Sequence, residues 1–445
     1  MNIDLRIPRI LIAGTHSGCG KTTVARGLMQ AFTSQGLVVQ PFKVGPDFID
    51  PTHHTTICKR NSRNLDPFMM GENGVRETFV KASIGADIAV IEGVMGMFDG
   101  LDGTLDASTA HVADLLSTPV LLVVDVKGMS RSAHAIVRGF ESSPGGERIA
   151  GVIFNRLGSE RHRSLIERSA GRNVFGWMKR RPGLEVKSRH LGLVMASEIE
   201  NGAAAGDAVS EDCETGAILE LARNTKPLPF SEELPDKTGD RPVIGIARDE
   251  AFCFYYQDNL DLLAASGADL VFFSPIHDAL PKTDALYLGG GYPELHAGAL
   301  EISTTTSAIA VVADEGMPIY AECGGLIYLT RGILSDREYR MAGILPACTE
   351  MTGSVQALGY SDGRAIGKSS YIHPGMAIKG HEFHYSRIEC MPDARFIIDL
   401  SRGKGISGGR DGMSEHETTG SYTHSYFSRE FSRAFVNAAR IFGKQ

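Results

Sequence analysis

The sequence predicts an α/β protein of two domains, each built on a largely parallel sheet. Three observations carry this. A glycine-rich turn at residues 14–23 sits between an apolar strand and a helical pattern. Short apolar runs alternate with helical stretches in both halves, as in doubly wound sheets. The two halves are separated by a Pro-rich acidic stretch ending near Asp240. The 445 residues exceed one ordinary domain.

Composition narrows the function classes. Hydrophobic residues make up 42% and charged residues 22%, as expected of a globular protein with real cores. The formal net charge of −8 and the lack of a long basic run disfavour a nucleic-acid partner. No apolar stretch reaches the roughly 20 residues that span a bilayer, so no membrane partner is expected. The N-terminal residues lack a signal-peptide core, which makes a cytoplasmic location the expectation. Seven scattered cysteines without a CxxC pair argue against a disulfide framework or a zinc site.

In the first half, Ile10-Leu11-Ile12-Ala13 leads into the turn, and Val24-Ala25-Arg26-Gly27-Leu28-Met29 leads out. This is the strand, loop and helix of a phosphate-binding P-loop. Gly14, Gly18 and Gly20 let backbone N–H groups turn toward an anion, and the helix start adds partial positive charge. Lys21 is expected to reach the outer phosphates of ATP, Thr22 to place a hydroxyl on Mg²⁺, and Thr23 to complete the nucleotide turn. The first glycine is shifted: Thr15 stands five before Gly20, and Gly14 lies one earlier.

A second strand, residues 37–43, ends in Val44-Gly45-Pro46-Asp47-Phe48-Ile49-Asp50. Ligands bind open α/β sheets at such strand ends. Asp47 is the expected Mg²⁺ ligand there, and Asp50 a further acidic candidate. A buried strand at 86–91 delivers Glu92, the second acidic metal ligand, followed by a glycine-rich loop that carries Asp99. Apolar strands follow at 120–125, at 149–156, where Asn155 could read a base edge, and at 190–194.

The second half opens with strands at 243–249, 269–273 and 284–288, the last running into Gly289-Gly290-Gly291. Bare backbone N–H groups in such a turn can hold an oxyanion. At Cys323 a strand meets Gly324-Gly325 and a departing helix, the layout of a nucleophile elbow with Cys in place of Ser. The helix start favours the reactive thiolate. A base is needed, and spacing leaves His373, His381, His384, His416 and His424 open.

Taken together, these motifs resemble the cobyrinic acid a,c-diamide synthase family, glutamine-dependent amidotransferases of corrin biosynthesis. The resemblance rests on residues 14–23, on Pro41-Phe42-Lys43-Val44-Gly45-Pro46-Asp47, on Glu92-Gly93-Val94-Met95-Gly96 and on Arg189-His190-Leu191-Gly192-Leu193. It also rests on residues 286–295 and on the Cys323 and His381 segments, so it covers both halves. It implies a dethiobiotin-synthetase-like P-loop domain at residues 1–202, a linker at 203–240 and a class I glutaminase-like domain at 241–435. It further implies that Cys323 attacks glutamine with His424 as its base, and that Gly290, Gly291 and Gly324 hold the oxyanion. ATP with Mg²⁺ would activate two carboxylates of cobyrinate for amidation, with Asp50 and Asp99 near the acceptor. Class I glutaminases commonly carry a Glu two residues after the His; here that position is Tyr426, so a Cys–His dyad is expected. Ni-sirohydrochlorin is the alternative substrate, and a non-catalytic P-loop switch is the alternative from another class. A homodimer is the assembly considered.

Overall fold

The computed structural model describes residues 2–168, 173–181, 202–231 and 239–444. The chain divides into two compact units, Met1–Glu232 and Glu233–Gln445. In the first, β1 (Asn2–Leu5), β2 (Arg9–Gly14), α1 (Lys21–Ser34), β3 (Val39–Val44), α2 (Ile49–Cys58) and β4 (Arg63–Leu65) come first. Then follow α3 (Pro67–Ser83), β5 (Ile88–Glu92), α4 (Thr109–Leu115), β6 (Val120–Asp125), α5 (Ser132–Glu141), β7 (Ile149–Leu157), α6 (Glu160–Glu167) and β8 (Val174–Lys179). The last elements are α7 (Gly202–Asp212), α8 (Thr215–Arg223) and β9 (Leu228–Ser231).

Seven strands form one parallel sheet in the order β4-β3-β5-β2-β6-β7-β8. Buried apolar side chains on both faces explain why the strands read as continuous apolar runs. Along β2, Ile10 and Ile12 pack with α1 residues Val24 and Leu28, while Leu11 and Ala13 pack with α3 residues Val75 and Phe79. The short strand β4 and the edge strand β8 carry no such run and were not legible. The strand expected at 190–194 lies outside the described residues.

The stretch that reads as a linker is largely built into this unit. Ala208 and Val209 of α7 and Ile218 and Ala222 of α8 join the core on the α1 face, and β9 pairs antiparallel with β1. Its small residues look like flexible spacer text because they are fitted to a close helix contact. A Cβ on Gly27 of α1 would lie 2.3 Å from Val209 Cγ2 and 2.7 Å from the Ala205 carbonyl oxygen.

The second unit contains β10 (Val243–Ala247), β11 (Phe252–Phe254), α9 (Gln257–Ala265), β12 (Asp269–Phe273), β13 (Ala285–Leu288) and β14 (Gly290–Gly291). Next are α10 (Ala297–Ile302), α11 (Thr304–Asp314), β15 (Ile319–Glu322), α12 (Gly324–Leu329), β16 (Gly332–Leu334), β17 (Glu338–Arg340) and β18 (Ala347–Met351). It closes with β19 (Ala357–Ala365), β20 (Ala377–His384), β21 (Ser386–Cys390), β22 (Phe396–Arg402), β23 (Arg410–Glu415), β24 (Thr418–Ser421), β25 (His424–Ser425) and α13 (Arg429–Phe442). Ten of these strands form a mixed sheet, β12-β10-β13-β15-β24-β23-β22-β19-β20-β25. It is parallel from β12 to β24 and antiparallel beyond. Helices α9 and α13 cover one face through Leu260, Leu263, Phe431 and Phe435; α10 to α12 cover the other through Leu300, Ile309 and Leu326.

Gly27→Val is expected to lower the unfolding free energy by about 1–3 kcal/mol, the usual cost of overpacking. Urea denaturation followed by circular dichroism checks it; an unchanged midpoint would mean that α7 is not docked on α1.

Candidate active sites

The P-loop follows β2, at the centre of the parallel sheet. Its shifted glycine has a steric reason. A Cβ on Gly14 would fall 2.4 Å from Cys19 Sγ and 2.7 Å from Lys21 Cγ, so only glycine lets the lysine stem cross the loop there. Gly20 is left-handed at φ 103°, and a Cβ on it would meet Asn155 Nδ2 at 2.0 Å. Asn155 donates that amide to the Cys19 carbonyl and accepts from the Arg156 N–H. Asn155 thus braces the P-loop and also lines the cavity beside it. Gly18, Gly20, Lys21, Thr22 and Thr23 line a cavity of about 470 Å³, which Lys127, Arg156 and Arg180 make basic on its other side.

Behind Lys21 lies a buried ionic cluster. Thr22 donates its hydroxyl to Glu92 Oε1 at 2.6 Å, and Lys43 Nζ reaches the same oxygen at 2.8 Å and Asp50 Oδ2 at 2.6 Å. Arg26 bonds the other Asp50 oxygen at 2.9 Å, and His54 Nε2 lies 2.8 Å from Glu92 Oε2. Asp47 stands at the rim: Oδ1 accepts the Ile49 N–H, and Oδ2 is 3.9 Å from Lys43 Nζ. Burial and the Asp50 charge push Asp47 up, whereas Asp50 and Glu92 are held down. In both of these, burial alone would raise the carboxyl, and Lys43 is prominent among the opposing groups. Lys43 is in turn held up, its burial outweighed by Asp50, Glu92 and Asp47.

Among the described residues, no three His, Cys, Asp or Glu side chains converge on one metal position. The donors nevertheless suit Mg²⁺, which takes few protein oxygens and completes its shell with phosphate and water. The Thr22 and Glu92 oxygens are adjacent, and Asp47 Oδ2 lies 3.9 Å from the Lys43 ammonium that Glu92 also binds. Asp99 Oδ2 accepts the Gly96 N–H and closes its own loop. Sequence reasoning assigned no role to Lys43, Arg26 or His54. A lysine inside a fully buried strand, one residue from its end, is the signal that could have raised Lys43.

In the second unit Cys323 forms the sharp corner between β15 and α12, at φ 45° and ψ −97°. Such a strained non-glycine conformation persists only where its surroundings enforce it. The enforcing contacts are glycine contacts. A Cβ on Gly325 would lie 2.3 Å from the Leu288 carbonyl oxygen, and one on Gly324 2.9 Å from the Gly291 nitrogen. The Gly290–Gly291 turn is therefore seated against the elbow. The Gly324 N–H points at Cys323 Sγ and opposes burial, which pushes the thiol well up, aided by the nearby Glu294 carboxyl. Burial raises Glu294 itself to about 7.

The five candidate histidines separate in space. His373 and His416 are exposed. His384 is stacked 3.6 Å from Tyr422 and donates Nδ1–H to the Ser386 carbonyl. His381 sits opposite His424 in the β20–β25 pair. His424 packs on the Gly290–Gly291 turn: a Cβ on Gly290 would be 2.2 Å from its Cε1. Burial, with His381 and His384 nearby, pulls His424 down to about 3, which favours the neutral ring. The residue two beyond it, Tyr426, offers no carboxylate; its ring lies 6.1 Å from that of Tyr256. Glu322, the residue before the cysteine, accepts the Ser425 N–H at 2.9 Å and the Tyr287 hydroxyl at 2.8 Å.

Comparison with known proteins accounts for both halves. Residues 10–194 match the CobQ/CobB/MinD/ParA nucleotide binding domain, and residues 243–431 the CobB/CobQ-like glutamine amidotransferase domain. A cobyrinate a,c-diamide synthase of Methanosarcina barkeri is 41% identical over 98% of this chain and 97% of its own length. The chain belongs to the cobyrinate a,c-diamide synthase family. Further relatives of that name come from Archaeoglobus fulgidus, 42% identical over 98% of both chains, and Syntrophotalea carbinolica, 43% identical over 97% of this chain and 99% of its own. As a member of the cobyrinate a,c-diamide synthase family, the chain pairs an ATP-using nucleotide-binding domain with a glutamine amidotransferase domain. No helix among the described residues is long and apolar enough to cross a membrane.

Lys43→Met removes the cation shared by Asp50 and Glu92 and is expected to cost about 3–5 kcal/mol, as for a broken buried ion pair. The pH dependence has a definite sign. Carboxyls held down contribute stability above their unfolded value of about 4 and lose it as pH falls through the folded value. Without Lys43 the buried carboxyls are raised and stabilise the fold on protonation. The stability gap between wild type and variant should therefore narrow on acidification from pH 7 toward 5, measured as Tm against pH; a constant gap would refute the pairing.

Proposed function

We propose that this protein amidates the a- and c-carboxylates of cobyrinate in cobalamin biosynthesis, using ATP and ammonia released from glutamine. The observation that carries the reading is the coexistence, in one chain, of the Lys21–Thr22–Glu92 phosphate corner and the Cys323–Gly290–His424 elbow. The amidoligase chemistry is assigned to residues 1–202 and the glutaminase chemistry to residues 241–435.

In the glutaminase half, Cys323 Sγ attacks the side-chain carbonyl of glutamine as His424 takes the thiol proton. A neutral thiol beside a neutral imidazole requires the transfer to accompany the attack. Backbone N–H groups at Gly290, Gly291 and Gly324 face the tetrahedral oxyanion. His424 returns the proton to the leaving nitrogen, ammonia departs, and water hydrolyses the thioester to glutamate.

In the ligase half, Gly14, Gly18 and Gly20 shape the P-loop, and Lys21, Thr22 and Thr23 hold the ATP phosphates. Mg²⁺, held by Thr22, Glu92 and Asp47, would neutralise phosphate charge. Lys43, braced by Asp50, brings a second ammonium to the same corner. Phosphoryl transfer depends on such positioning and neutralisation. The γ-phosphoryl passes to a peripheral carboxylate, and ammonia displaces phosphate from the acyl phosphate, once at each of the two positions.

Purified protein with ATP, Mg²⁺ and glutamine should convert cobyrinate to its diamide in preference to Ni-sirohydrochlorin; the reverse preference would reassign the substrate. Cys323→Ala is expected to abolish glutamine use while leaving amidation by free ammonia. Lys21→Ala should stop both routes, and normal ammonia-dependent amidation by that variant would defeat the P-loop assignment.

A further inference from the structure

Strand β25 bears His424, yet its ladder partner is β20, not the nucleophile's strand. Along the sheet, six strand pairings separate β15 from β25. The chain itself short-cuts that ladder: β24 pairs with β15, the Cys323 N–H donates to the Ser421 carbonyl at 2.7 Å, and His424 follows three residues later, outside that pairing. The Tyr426 N–H turns toward Lys379 of β20, so at Ser425, one residue earlier, the backbone faces away from that strand. Its polar groups are met by side chains. The Ser425 carbonyl accepts from Asn259 Nδ2 at 2.8 Å, and its hydroxyl accepts from Tyr320 at 2.8 Å. Its N–H goes to Glu322 Oε1 at 2.9 Å.

Glu322 is the last residue of β15, 1% exposed, and its neighbour in sequence is Cys323. Its other oxygen is fixed by the Tyr287 hydroxyl from β13. One carboxyl thus links the residue before the nucleophile to the residue after the base. A buried carboxyl is costly to keep, and an apolar side chain would fill the same volume at less expense.

We infer that Glu322 is a positioning residue for His424, doing from the nucleophile's own strand what the absent acid at position 426 does in other class I glutaminases. The inference rests on the reading of Cys323 and His424 as nucleophile and base. Shifts of the base by about 1 Å cost about 100-fold in rate, so a tether through one hydrogen bond at Ser425 is enough to matter.

The test uses the full chain carrying Glu322→Ala, Glu322→Gln or Glu322→Asp, with His424→Ala alongside. Glu322→Ala should lower kcat for glutamine hydrolysis about 100-fold with KM within about threefold, while ammonia-dependent amidation persists as evidence of folding. Glu322→Gln still offers an oxygen to the Ser425 N–H and should recover at least about tenfold of that loss. Should the alanine variant fail to fold, Glu322→Asp decides: a carboxylate one methylene short should cost about tenfold or more in kcat. The inference falls if a folded Glu322→Ala keeps kcat within about threefold, if its loss lies in KM, if Gln gives no recovery, or if Asp is as fast as wild type. An active His424→Ala would overturn the dyad itself; an inactive one beside an active Glu322→Ala would overturn only the role of Glu322.

Discussion

Both sites depend on side chains lying where a Cβ would otherwise be. The Lys21 stem crosses the P-loop over Gly14, and the His424 ring rests on Gly290. In each case the backbone is shaved to glycine so that a reactive side chain can lie against a turn rich in N–H donors. The consequence is mutual: the turn fixes the side chain, and the side chain leaves the turn no room to relax. Cys323 is held at its strained corner by the same device, through Gly324 and Gly325.

Electrostatics divide the two sites. The nucleotide corner is ionic, with Lys43 set among Asp47, Asp50 and Glu92. Its charges compensate one another within the cluster. The elbow is the opposite. Cys323 is pushed up, His424 is pulled down, and burial is the first cause of each. In the proposed reaction, charge would appear there only as the thiol attacks, next to backbone dipoles that are already oriented.

Much of this was legible in the sequence. The parallel strands announce themselves as apolar runs because helices cover both faces; Val120–Asp125 and Ala285–Leu288 fall where their runs fall. The antiparallel strands β19 to β23 were illegible, since their alternating residues give no continuous run. The P-loop, Glu92 and Cys323 were visible because backbone geometry demands glycine around them. The ionic partners were not. Lys43, Arg26 and His54 come from three separate elements, and only the fold shows that they share Asp50 and Glu92. Spacing left five histidines open and the resemblance implied His424; that its ring lies against Gly290 was a tertiary fact beyond the sequence. Asn155 was visible as a polar residue at a strand end, but its partner, the Cys19 carbonyl, was not.

The protonated state of Cys323 also bears on how the protein endures air. Peroxide and disulfide-forming reagents attack thiolates, and oxidation climbs from sulfenic to irreversible acids once it begins. A cysteine buried to 6% exposure, its thiol pushed up by that burial, offers such reagents little to react with. The burial that raises the thiol therefore also shelters it.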